Sequence, residues 1–193
     1  MEDRMTTTFQ YAIEHGLTDG FAPSISPLTA LSLRARYDLR VFVETGIWHG
    51  GTTQWAARHF DQVYVCDIDP RWVNHALARF GSTPRIHVYC GDSRDFLLRL
   101  LPTLAIPALI YLDAHYITDK HSAGSPDDCP LLGELEVIAR APIDHIVVID
   151  DARLILNRDP DYLSWPTLED VKRALGHYDV KHEGRALIAR PRA

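Results

Sequence analysis

Apolar and polar positions along the chain fall into a repeating block pattern. Five short runs rich in β-branched and aromatic residues, at 41–43, 63–66, 86–90, 108–112 and 146–149, are separated by longer segments whose apolar residues recur every three or four positions. Runs of three to five residues with no polar alternation suit strands buried on both faces, and the intervening spacing suits amphipathic helices. After 63–66, Asp69-Pro70 offers a cap and a first-turn proline, and Trp72, Val73, Ala76, Leu77 and Phe80 mark one helix face. Phe96, Leu97, Leu100 and Leu101 mark the next. A helix over 130–140 is expected to bury Leu131, Leu132, Leu135 and Ile138. The tail predicts a helix over 167–175, then two short strands at 178–182 and 186–190 joined through Glu183-Gly184-Arg185 as an antiparallel hairpin. Upstream, 6–17 and 26–37 have helical spacing, with Pro23 and Pro27 punctuating the break between them. These two helices are expected to pack at the sheet edge, to close over a site or to form a homodimer surface.

Strands alternating with helices predict an α/β fold, a mostly parallel sheet with helices on both faces. The 193 residues are enough for one domain with a full core, so a single domain over 1–193 is expected, with a helical segment at 1–38 preceding the core at 39–193. Hydrophobic residues at 46% and charged residues at 24% are those of an ordinary soluble protein. A net charge of −6 without any basic stripe argues against a nucleic-acid partner. The opening residues carry no apolar signal region and no run reaches spanning length, which makes a cytoplasmic protein without a membrane partner the expectation. Cys66, Cys90 and Cys129 lie far apart with no Cys-x-x-Cys pair; neither a disulfide framework nor a thiolate zinc site is implied, and Cys66 and Cys90 read as buried apolar residues in strands.

Chemistry enters at the strand ends. Glu44, Asp67, Asp92, Asp113 and Asp150-Asp151 each follow one of the five runs. In open α/β sheets ligands bind beyond the carboxyl ends of the strands, where the strand order reverses. The first run continues as Glu44-Thr45-Gly46-Ile47-Trp48-His49-Gly50-Gly51-Thr52-Thr53, an acid, a glycine turn and a helix start near Thr52. Such a turn lets backbone approach a ligand, and free N–H groups at a helix start favour a polar or anionic one. Asp67, 21 residues after Gly46, is placed to accept hydrogen bonds from two ribose hydroxyls.

On these residues the chain resembles the class I S-adenosylmethionine-dependent methyltransferases from about Val41 to the end. The pattern Glu-x-Gly-x-x-x-Gly-Gly-Thr looks most like the macrocin O-methyltransferase and cephalosporin hydroxylase branch, with Trp48 where relatives often have glycine. The resemblance implies a Rossmann-like, doubly wound, seven-stranded sheet ending in the hairpin. It also implies a cofactor crevice formed by Glu44, Thr45, Gly46, Trp48, Gly50, Thr52, Asp67, Ile68, Asp92, Ser93 and Asp113, with Asp92 and Ser93 on the adenine side. Asp92 and Ser93 can equally cap the helix that follows them.

Asp113, Asp150 and Asp151 form the second constellation. Carboxylates brought together repel unless a cation lies between them, and Mg²⁺ prefers oxygen ligands. Resemblance to the metal-dependent, catechol-type O-methyltransferases implies Mg²⁺ on these three residues; the alternative is that one of the Asp150-Asp151 pair caps a helix or pairs with Arg153. His115, two residues after Asp113, is the expected general base, and the segment 114–129, with Tyr116 and His121, is an expected lid. A local likeness across Leu112–Tyr116, Asp127 to Glu134, Ile149 to Arg153 and Asp161-Tyr162 to small bacterial methyltransferase-like proteins narrows the fold more than the reaction. The reading is a Mg²⁺-assisted O-methyltransferase acting on a small hydroxylated molecule, a sugar or natural-product diol. An oxidative enzyme of the cephalosporin hydroxylase type and a non-catalytic cofactor-binding module remain as alternatives. A nicotinamide enzyme is disfavoured by the absence of Gly-x-Gly-x-x-Gly.

Overall fold

The computed structural model describes residues 26–115, 129–157 and 164–192. The expected helix at 6–17, most of the expected lid, and Asp161-Tyr162 lie outside them.

Helix α1 (Pro27–Tyr37) starts at the Ser26 cap, whose hydroxyl accepts from the Thr29 N–H at 3.1 Å, with Pro27 in the first turn. It leads into β1 (Val41–Thr45), after which strands and helices alternate: α2 (Gly51–His59), β2 (Gln62–Asp67), α3 (Pro70–Phe80), β3 (Ile86–Cys90), α4 (Ser93–Leu100), β4 (Ala108–Leu112), α5 (Leu131–Ala139), β5 (Ile146–Ile149) and the short α6 (Ala152–Leu156). The chain closes with α7 (Leu168–Ala174), β6 (Tyr178–Glu183) and β7 (Ala186–Pro191). The seven strands form one sheet in the order β3-β2-β1-β4-β5-β7-β6. Strands β1 to β5 pair in parallel, and β7 is inserted antiparallel between β5 and β6. The order reverses between β1 and β4, which opens the crevice beyond their carboxyl ends.

Successive residues of each central strand enter opposite layers, which is why these strands carry no polar alternation. Val41, Val43, Ile110, Leu112, Val147 and Ile149 pack with Leu97, Leu135, Ile138 and Val171 from α4, α5 and α7. Phe42, Leu109, Tyr111, Ile146 and Val148 pack with Leu33, Trp55, Ala76 and Phe80 from α1, α2 and α3. Each side chain such as Phe42 or Leu97, essentially without exposure, contributes roughly 1.5–3 kcal/mol of burial.

The sequence expectations need correction at three positions. Cys90 is exposed, because β3 is the edge strand and its last residues, Tyr89 and Cys90, run beyond the helix cover. Leu77 and Leu132 are also exposed, so the inward faces of α3 and α5 are Val73, Ala76, Phe80 and Leu131, Leu135, Ile138. The fourth inward position of α5 is taken by a carboxylate, Glu134. His145 is a buried link: its Nδ1 accepts from the Ala108 N–H at 3.1 Å, and burial lowers its pKa to about 4, so the ring is neutral. Among the described residues no helix is long and apolar enough to cross a membrane.

Candidate functional site at the carboxyl ends of the strands

The turn after β1 is shaped by Asp67 at the end of β2. Oδ2 of Asp67 accepts from the backbone N–H of Ile47 at 2.9 Å and of Trp48 at 3.2 Å, and Oδ1 accepts from Asp69 N–H at 2.9 Å. The acid expected to face a ribose thus also ties the glycine turn to the adjacent strand, and carboxylate oxygens retain further lone pairs for hydroxyl donors. Gly46 has a φ of 85° and crosses so close to β4 that a Cβ would lie 2.5 Å from the carbonyl oxygen of Asp113. Trp48 sits at φ 45° with 57% of its surface exposed, and its indole lies tilted against His49 with ring centroids 4.4 Å apart, while His49 in turn meets Trp72 edge-on at 4.8 Å between centroids. The indole therefore packs along the loop surface towards α3. Gly50, φ 71°, caps the start of α2, in whose first turn Thr52 and Thr53 lie.

Glu44 is buried beneath that turn with 1% exposure, and the Thr53 hydroxyl donates to its Oε2 at 2.5 Å. Burial raises its pKa to about 8, against the lowering effect of hydrogen bonds from Thr53 and Thr52, with the Asp67 charge raising it further. Glu44 therefore braces β1 against α2 and stands under the crevice floor. A carboxyl whose folded pKa lies above its unfolded value adds stability at low pH relative to high, and that contribution disappears as pH rises from about 4.5 through about 8. Glu44→Gln removes this titration: the stability of the variant relative to the wild type, read by chemical denaturation, is expected to rise by a few kcal/mol between about pH 5 and pH 9. An unchanged difference across that range would show that Glu44 does not titrate as a buried acid.

On the adenine side expected from the sequence, Asp92 caps α4, accepting from the Arg94 N–H at 2.8 Å, and pairs with the Arg94 guanidinium at 2.7 Å. The guanidinium hydrogen bond is the main reason its pKa is lowered. Capping, one of the two open readings, is therefore observed. Ile68 beside Asp67 presents apolar surface, 39% exposed, and a side chain added at Gly91 would meet nothing within 4 Å. Ser93 is buried, as are the Thr45 side chain and Glu134 of α5. Burial raises Glu134 to about 7, against nearby Ser93 and Thr45 hydroxyls and the charge of His115.

Beyond β4 and β5 the acids gather around one imidazole. His115, 8% exposed at its side chain, has Nε2 at 3.4 Å from Asp151 Oδ2 and Nδ1 at 3.6 Å from Asp113 Oδ1, and its ring makes a T-shaped contact with Trp165, centroids 4.9 Å apart. The His115 hydrogen bond is the largest cause lowering the Asp151 pKa; Arg153 and Arg185 also approach Asp151 Oδ1, at 3.4 and 3.7 Å. Asp150 turns inward: Tyr111 O–H donates to its Oδ2, and the Asp151 backbone N–H donates to its Oδ1. Burial raises the Asp150 carboxyl. The Asp113 side chain keeps about a third of its surface, 34%, yet loss of water on its packed side raises its carboxyl well above the usual range, followed by the charges of Asp150, Glu44, Asp151 and Glu134.

The groups implied by resemblance can be tested against these residues. S-adenosylmethionine fits: a glycine turn in close backbone contact, an acid at the end of β2, apolar Ile68 and open space at Gly91 are the donor set and shape an adenosine needs. Mg²⁺ on Asp113, Asp150 and Asp151 does not fit. The imidazole fills the space between Asp113 and Asp151, two guanidinium groups flank Asp151, and Asp150 binds Tyr111; among the described residues no three such ligands converge on one point. The Asp151–Arg153 pairing kept open as an alternative is the one observed. Glu134, Tyr111 and Trp165 were missed by the sequence reading; the available signal for Glu134 was an acid at the i+3 position of the stripe Leu131, Leu135, Ile138.

No protein-family model matches the chain, and no curated protein matches it. Solved structures do. An O-methyltransferase from Bacillus cereus in complex with SAH superposes with a TM-score of 0.61 at 15% identity, covering 95% of this chain and 88% of that one. The O-methyltransferase TomG from Streptomyces achromogenes, involved in tomaymycin synthesis and in complex with SAM, gives 0.58 at 18% identity, with 97% and 89% covered. The N-methyltransferase NodS from Bradyrhizobium japonicum gives 0.52 at 17% identity, with 84% and 90% covered. At such identities the likeness bears on architecture alone, and the chain has the fold of the class I S-adenosylmethionine-dependent methyltransferases.

Proposed function

We propose that the protein is an S-adenosylmethionine-dependent O-methyltransferase for a small hydroxylated molecule, a sugar or natural-product diol, in the branch of macrocin O-methyltransferase and its cephalosporin hydroxylase-like relatives. The observation that carries this reading is the juxtaposition across the β1–β4 switch point: a turn tied down by Asp67 on one side, and a carboxylate-oriented imidazole, Asp151–His115, on the other.

Gly46, Asp67 and Ile68 would hold the cofactor, which when bound supplies an electrophilic methyl on a sulfonium. Asp151 accepts from Nε2–H of His115, which directs Nδ1 to receive a proton. An acceptor hydroxyl placed against Nδ1 loses its proton there while its oxygen forms the bond to the methyl carbon, and the carbon–sulfur bond breaks to leave a neutral thioether. Positioning supplies much of the rate, and the imidazole supplies the general-base part. The magnesium expected from the sequence forms no part of this proposal, because the carboxylates that would bind it are engaged by His115, Arg153, Arg185 and Tyr111.

Calorimetry with S-adenosylhomocysteine and, separately, NAD tests the cofactor assignment. The sulfur compound is expected to bind and NAD to leave no heat; Asp67→Ala should weaken S-adenosylhomocysteine by at least about 30-fold, since it removes the ribose acceptor and releases the turn. Binding of NAD alone would overturn the reading.

A further inference from the structure

Behind His115 lies a small cavity lined by Leu112, Glu134, Ile149, Asp150 and Trp165 together with the imidazole itself. Its apolar walls leave room for one small group, and the titratable side chains lining it are Glu134, Asp150, His115 and Cys129. Glu134 is the telling member. It projects from the apolar stripe of α5, has 1% exposure, and its Oε1 finds no hydrogen-bond partner among the described residues. The Thr45 hydroxyl, also buried, approaches the same carboxyl closely enough to lower its pKa as a donor, as Ser93 does. A buried acceptor left unmade costs the protein its full desolvation, and such groups persist where a ligand or ordered water completes them. A metal ion is a poor completion, because no three ligands converge. What the wall lacks is a compact donor carrying positive charge, small enough to fit between Leu112, Ile149 and Trp165.

We propose that this cavity binds a primary ammonium group of the acceptor, so that the substrate class is an amino alcohol or amino sugar, with the ammonium at Glu134 and Asp150 and the methylated hydroxyl at His115. The proposal rests on the methyltransferase reading for the role of the hydroxyl, while the ammonium site rests on the cavity alone. An ammonium offers three donors on a tetrahedral nitrogen, enough for Glu134 Oε1, a second lone pair of Asp150 and one further acceptor. Charge-assisted hydrogen bonds to buried carboxylates discriminate against a neutral hydroxyl of the same size, which could enter the cavity and would leave the carboxylates without a counter-charge.

Calorimetry on the wild-type protein, with aminocyclohexanol, cyclohexanediol and Mg²⁺ alone as separate probes, tests this in the presence and absence of S-adenosylhomocysteine. Aminocyclohexanol is expected to bind at least about tenfold tighter than the diol, and Glu134→Gln should reduce that preference to about twofold or less. Glu134→Asp, which keeps the charge, should retain part of the preference, and thermal unfolding of both variants reports whether they fold. Equal binding of amino alcohol and diol by the wild type overturns the proposal without recourse to any variant. So does a preference that survives Glu134→Gln, or Mg²⁺ binding that depends on Glu134. If the amine preference holds while S-adenosylhomocysteine does not bind, the ammonium site stands and the methyltransferase reading falls.

Discussion

Gly46→Ala is expected to lower the stability of the protein by about 2–4 kcal/mol and to abolish detectable cofactor binding. Two independent effects add at this position. The backbone holds a φ of 85°, where an L side chain is strained, and the new Cβ would lie 2.5 Å from a carbonyl oxygen and 2.8 Å from its carbon, both in the backbone of Asp113. A flexible side chain could move aside from such a contact. The Asp113 backbone cannot, because its N–H is bonded to the Thr45 carbonyl at 3.0 Å and it continues directly from a buried central strand. Relief must come from the turn, which would pull Ile47 and Trp48 from the Asp67 carboxylate and displace the surface on which an adenosine would lie. In thermal unfolding the loss corresponds to roughly 5–15 °C for a chain of this size. Gly176→Ala is the matched control: a Cβ there meets nothing within 4 Å and the backbone is not left-handed, so a change within about 0.5 kcal/mol is expected. If the two variants unfold alike and Gly46→Ala still binds S-adenosylhomocysteine at wild-type affinity, the close turn does not define the crevice.

That turn also shows how far the sequence could be read. The five apolar runs located the parallel strands because central strands here are buried on both faces, and the hairpin followed from its turn residues. The acids at strand ends located the crevice, since any α/β sheet of this kind places its site there. What each acid does could not be read in the same way, because a carboxylate's partner is set by three-dimensional neighbours. Glu44 belongs to the right motif yet lies under the floor, held by Thr53 nine residues on. Asp92 is claimed by Arg94 two residues away, a local competition that spacing alone leaves open. The metal expectation failed for a related reason. Three acids on adjacent strand ends imply repulsion, but the His115 imidazole occupies the space between Asp113 and Asp151, and the compensating charge comes from Arg153 and Arg185, the last of which arrives from the turn of a hairpin more than thirty residues downstream. Glu134 was hidden because an acid in a helix is usually solvated, and only packing shows that it faces inward.

His115→Gln is expected to lower kcat for methyl transfer by about 100- to 1000-fold while leaving S-adenosylhomocysteine affinity within about threefold. Glutamine approximates the imidazole's volume beside Trp165, so the loss would report chemistry more than collapse of the pocket. It cannot take a proton at neutral pH. Asp151→Asn keeps the shape of the carboxylate but removes its charge, so the imidazole stays in place with its orientation weakened, and a smaller fall of about 10- to 100-fold is expected. Initial rates of S-adenosylhomocysteine formation with any acceptor the wild type turns over provide the measurement. A structural role and a proton-accepting role separate when acceptors of graded acidity are compared. If His115 removes the proton, the deficit of His115→Gln must shrink as the acceptor hydroxyl becomes more acidic and needs less help to ionise. If His115 only supports the neighbouring Asp113 and Asp151, the deficit stays constant across the series. A constant deficit would move the base elsewhere and leave the Asp151–His115 pair as part of the scaffold.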